Sequence, residues 1–159
     1  MRRWRLTAIL LCIATGCLWA AQGALASDAS VRSAIESSAR QIKESGELQG
    51  ALKEFREDPK TLEKLQRGIA DFNRIVHKVI VKVSAQKAST SAGKRGEREW
   101  VGGLEKVSSG FSDLDTALSD IRNHQKTAAK SEIKKAAALV KVGTAEAREG
   151  TTLLHVKKS

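Results

Sequence analysis

The sequence predicts an all-α fold, an up-down-up-down four-helix bundle preceded by a cleavable signal peptide. Three observations carry this. Two long stretches repeat apolar residues in alternating steps of three and four. The 159 residues hold one proline, no tyrosine, and few aromatics, namely Phe55, Phe72, Phe111 and three tryptophans, as expected of a helical chain rich in Ala, Lys and Glu. The first 26 residues have the layout of an export signal.

That leader has Arg2, Arg3 and Arg5 at its start, an apolar run from Leu6 to Ala21, and the small-x-small triplet Ala24-Leu25-Ala26 ahead of Ser27. This pattern predicts cleavage after Ala26 and a mature chain of residues 27–159 working outside the cytoplasm, periplasmic or extracellular. Two other fates are compatible with it. The run could stay as an anchor, though it is short of the ~20 apolar residues of a spanning helix. Alternatively, Ala14-Thr15-Gly16 could precede a lipidated Cys17. Membrane association is expected only through the leader, if it is uncleaved or lipidated. Both cysteines, Cys12 and Cys17, lie in it, so the mature chain is expected to fold without disulfides.

The mature chain is long enough for one domain with a substantial core. It is expected to comprise a helical hairpin over 28–87, a flexible linker over 84–98 and a second hairpin over 99–155. The first helix opens with Val31, Ile35, Ala39 and Ile42. Gly46 and Gly50 then interrupt it, before Leu48, Leu52 and Phe55 resume on a shifted face, which predicts a kink or fray near Gly46. Asp58-Pro59 reads as an N-cap followed by proline at the first helical position, hence a tight turn.

The second helix carries Leu62, Leu65, Ile69, Phe72, Val76, Val79 or Ile80, and Val83. The third carries Val101, Leu104, Val107, Phe111, Leu114, Leu118 and Ile121. These spacings place each set on one helical stripe, and two such stripes imply near-antiparallel packing. Residues 84–98, small, polar and glycine-containing, predict the linker between the hairpins. The fourth helix shows Ile133, Ala136, Val140, Gly143, Ala147 and Leu154. This stripe of small residues allows close approach but buries little area, and Thr151 and Thr152 suggest loosening near its end. The turn before it is expected within 122–131, with one continuous long helix through this stretch as the alternative.

Charge supports the topology. Residues 28–58 carry −2, 59–87 +5, 88–99 +1, 100–123 −2 and 124–159 +5. In an up-down-up-down bundle each helix then neighbours helices of opposite sign. The same stripes could equally pair across a homodimer.

The chain's formal charge of +10 raises the question of an anionic partner. Lys126, Lys130 and Lys134 step by four along one helix, as do Lys78 and Lys82 on another, spacing that suits an anionic polymer or lipid surface. A solvated face beside an acidic neighbour is the more ordinary explanation of them. No aromatics interleave with the lysines, and export disfavours nucleic acid as a partner.

No cofactor or metal is expected. The mature chain has neither cysteine nor methionine for haem, it lacks a Glu-x-x-His pair, and His77, His124 and His155 are widely separated. No catalytic role is expected either. There is no Gly-x-Ser-x-Gly, no phosphate loop and no dinucleotide fingerprint, while Asp113 and Asp115, two apart on a helix, should diverge. Trp100-Val101-Gly102 resembles the Trp-x-Gly that sits in the turn of small helical-hairpin substrates of specialised secretion systems, over those three positions only. Trp100 is expected instead to cap the core at the start of the third helix, with Gly102 and Gly103 permitting close packing. The function that remains is non-enzymatic binding, to an unknown protein partner or an anionic envelope surface. A ligand carrier without a recognisable motif is the further alternative.

Overall fold

A computed structural model describes residues 28–44 and 47–155 of the chain. The leader lies outside the described residues, and with it the cleavage positions Ala24, Ala26 and Ser27. Every regular element described is helical: α1 over residues 28–44, α2 (Glu47–Glu57), α3 (Leu62–Ser84), α4 (Ser91–Arg122) and α5 (Lys126–Leu153), with a single 3-10 turn (Pro59–Thr61) leading into α3. The segment read as one interrupted helix is described as α1 and α2; residues 45–46 between them, where the kink or fray is expected, lie outside the described residues.

The local signals at the next boundary hold. Asp58 is extended and its Oδ1 accepts a hydrogen bond from the Lys60 amide at 2.9 Å, while Pro59 takes the first position of the turn, where its missing N–H costs nothing. The linker expected over 84–98 is shorter: residues 85–90 connect α3 to α4, and 91–98 are the first two turns of α4. Thr90 supplies the physical reason. Its hydroxyl oxygen accepts from the Gly93 amide at 2.9 Å, starting the helix in a stretch whose composition reads as loop. The same hydroxyl donates to the carboxylate of Asp28, which also accepts from the amides of Ser89 (2.9 Å) and Thr90 (3.3 Å). The start of α1 is thereby fastened to the start of α4.

The core forms two clusters. At one end, Val31 and Ile35 of α1 pack with Val76, Val79 and Val83 of α3, Trp100 and Leu104 of α4, and Leu154 just beyond α5. At the other, Leu48 and Ala51 of α2 pack with Leu65 and Ile69 of α3 and Leu118 of α4. Phe72 is half-buried and borders both clusters, its ring 4.7 Å from that of Phe111. The α3 stripe is as expected, with Val79 rather than Ile80 fully buried. On α1 the buried face takes Ser38 in place of Ala39, which is exposed. Trp100 is 3 % exposed and lies ten residues into α4, neither at the start of a helix nor in a turn.

Antiparallel order along α3, α4 and α5 is marked by polar contacts. Gln66 donates to Asp115 (3.0 Å) and Ser119 (3.1 Å), and Ser108 donates to Asn73 (3.0 Å), so rising α3 numbers meet falling α4 numbers. Between α4 and α5, Arg95 pairs with Glu149 (2.6 Å), Lys106 with Glu146, and Asp113 with Lys135 (3.3 Å). Asp113 therefore serves α5 and Asp115 serves α3, the divergence that a spacing of two requires. Arg32 Nε donates to the Leu154 carbonyl at 2.7 Å and joins α1 to the end of α5. The turn between α4 and α5 is only Asn123, His124 and Gln125. His124 is left-handed (φ 61°), and Gln125 N–H reaches the Asp120 carbonyl at 2.8 Å, closing the helix end. Thr151 and Thr152 do not loosen α5: both are helical and bond the Arg148 carbonyl.

Candidate functional site

The candidate site arises from the way α4 and α5 meet. Gly96, Gly103, Gly110 and Ala117 recur every seven residues on α4, as do Ala129, Ala136, Gly143 and Gly150 on α5, and all eight are buried. A Cβ built on Gly103 would lie 2.5 Å from the Gly143 carbonyl oxygen and from the Ala147 nitrogen. One on Gly150 would lie 2.6 Å from the Gly96 carbonyl oxygen. The two backbones touch, and a side chain larger than hydrogen does not fit at these points.

This seam decides where the larger residues go. With glycine and alanine between the helices, Ile133 and Val142 of α5 are left 42 % and 48 % exposed, although Ile133 was expected in the core stripe. Ile121, expected likewise, is 41 % exposed at the last turn of α4. Gly102 has nothing within 4 Å of a would-be Cβ, so close packing belongs to Gly103 alone.

Beside the seam runs an open apolar groove of about 680 Å³. Gly110 and Ala136 are the buried residues of its lining, Phe111 and Leu114 line it from α4, and Ile133 and Val140 line it from α5. Phe111 is held in place from behind by Phe72. Two cations border the groove, Lys141 and Arg148, seven residues apart on α5. Among the described residues no carboxylate lines it and neither cation has an ion-pair partner. The acids of α5 are engaged elsewhere: Glu132 with Lys135, Glu146 with Lys106, Glu149 with Arg95. A second, more polar depression of about 460 Å³ lies between α2 and α3, crossed by the Lys64–Glu54 ion pair (2.6 Å).

The five lysines singled out in the sequence are not brought together. Lys78 and Lys82 sit in the last turns of α3, at the end where Val83 meets Trp100 and Leu154, and Lys82 donates to Ser37 at 2.8 Å. Lys126, Lys130 and Lys134 occupy the first turns of α5, at the opposite end. All five are exposed. The neighbouring Lys135 is held above its usual pKa by its hydrogen bond to Asp113 and the charges of Asp113 and Glu132. His77 is exposed on α3, and His124 and His155 are left-handed residues at helix ends. Among the described residues no three His, Cys, Asp or Glu side chains gather as a metal site would require. No helix among them is long and apolar enough to cross a membrane.

The groove is hidden from the sequence because its two walls come from different helices. The seam that makes it is half visible there, in the small residues of the last helix and at Gly103. The matching seven-residue period through Gly96, Gly110 and Ala117 is the signal that completes it. No protein-family model matches the chain, and no curated protein or solved structure matches it either.

Proposed function

We propose that this is an exported, non-enzymatic binding protein that takes its partner in the α4–α5 groove. The observation that carries this reading is the groove itself: Phe111, Leu114, Ile133 and Val140 offer apolar surface to solvent beside two unpaired cations. Clefts of this size with a few convergent polar groups are the usual form of a binding site. Export rests on the leader pattern of Arg2, Arg3, Arg5, the apolar run and Ala24-Leu25-Ala26. The frame proposed for the site is the up-down-up-down four-helix plan, with α1 and α2 acting as one interrupted arm.

The test is a photo-crosslinking residue, benzoylphenylalanine, replacing Ala137 in the groove or the exposed Ala70 on α3, in protein expressed in its own host. An adduct from position 137 alone is expected. Equal adducts from both positions, or none from 137, would overturn the reading.

A second reading, attachment to an anionic envelope polymer or lipid surface, is favoured by one observation. Lys126, Lys130 and Lys134 are exposed and, among the described residues, without an ion-pair partner. Screening would then release the protein from envelope fractions between low and high salt. Release that ignores salt would remove this reading.

A further inference from the structure

The shape and charge of the groove narrow its occupant, whose assignment rests on the groove being the binding site. From Ile133 to Arg148 it follows α5 for about 22 Å at the helical rise of 1.5 Å per residue. Its apolar residues concentrate at the Leu114–Ile133 end, whereas Lys141 and Arg148 stand in the other half. The acids of α5 are spent on Arg95, Lys106 and Lys135, so among the described residues the charged groups lining this flank are cations. A volume near 680 Å³ lies in the range of small-molecule sites. A docked partner helix would have to cover surface well beyond the groove to reach the roughly 800 Å² per side of a stable protein interface.

We propose that the α4–α5 groove binds a long-chain fatty acid, with the acyl chain along Phe111, Leu114, Ile133 and Val140 and the carboxylate between Lys141 and Arg148. The chain removes exposed apolar surface from water, the dominant favourable contribution to such binding. The carboxylate supplies the counter-ion that, among the described residues, the two cations lack. Its oxygens accept from an ammonium and a guanidinium, the latter able to bind in fork geometry.

The experiment is a fluorescence titration of the purified full chain with parinaric acid, followed by displacement with oleate and with oleyl alcohol. One saturable site per chain is expected, with oleate displacing at least tenfold better than the alcohol. Lys141→Glu and Arg148→Glu should each weaken binding about tenfold, and Ala137→Trp, which fills the groove, should weaken it at least as much. Arg148→Gln is the milder variant should charge reversal disturb the helix, and circular dichroism of every variant reports the fold. Unsaturable uptake, equal displacement by acid and alcohol, or affinity unmoved by all the variants would overturn the proposal. A protein-sized adduct at position 137 with no fatty-acid binding would overturn this inference and leave the broader reading standing. Neither adduct nor binding would overturn both.

Discussion

Gly103 and Gly143 face each other across the α4–α5 seam, each placed so that a Cβ would strike the other's carbonyl oxygen. The relationship is reciprocal, backbone against backbone, with no flexible side chain to give way. Gly103→Ala should therefore force the helices apart and cost about 1–3 kcal/mol, despite a helix-propensity gain of about 1 kcal/mol. Gly102→Ala is the matched control. Nothing lies within 4 Å of its Cβ, so it should stabilise by up to ~1 kcal/mol. Urea denaturation of the two variants should give opposite signs, and equal shifts would mean that the seam is not tight.

Phe72 and Phe111 pack with ring centroids 4.7 Å apart at 57°, joining α3 to α4 beside the groove. Both are half-buried, so Phe72→Ala should cost about 3 kcal/mol, the lower end for such truncations. A double-mutant cycle with Phe111→Leu and Phe72→Leu should yield a coupling of about 0.5–1.5 kcal/mol. Additive losses in chemical denaturation would separate the two rings energetically.

His124 holds φ 61° at the end of α4, in the position that helices usually give to glycine. A non-glycine residue there costs on the order of 1 kcal/mol. His124→Gly should raise stability by roughly that amount, with α4 and α5 unchanged. A fall in melting temperature would show that the imidazole contributes something the exposed position does not suggest.

Asp28 ties the start of α1 to the start of α4. Desolvation pushes its pKa up, but the hydrogen bonds from the Thr90 hydroxyl and the Ser89 and Thr90 amides outweigh this and hold it below the usual carboxylate value. A depressed folded-state pKa contributes stability that is fully present above the ordinary carboxylate pKa of about 4 and fades as pH falls through the folded value. The gap in melting temperature between the natural protein and Asp28→Asn should be widest at pH 6 and shrink steadily towards pH 2. A gap independent of pH would show that the charge is not what holds the junction.

Periodicity and caps made much of the fold legible in the sequence. Leu65, Ile69, Val76, Val79 and Val83 are buried as their spacing requires, because a helix brings residues three and four apart onto one face whatever surrounds it. Asp58-Pro59 starts its turn for equally local reasons. Thr90 defeated the linker expected over 84–98, since one hydroxyl cap and the Asp28 carboxylate together nucleate a helix whose composition is that of a loop. Ile121 and Ile133 went astray for a tertiary reason as well. An apolar residue on the right stripe is buried only if a neighbour arrives to cover it.

Helical class, the stripes and the turn at Asp58 are local properties of the chain, set within a few residues by backbone hydrogen bonding and side-chain spacing. Packing between distant segments is what makes glycine and alanine, rather than the large residues of α5, its contact with α4. The backbones approach until they touch, the larger side chains are displaced to the flank, and the groove bordered by Lys141 and Arg148 is the space that this leaves.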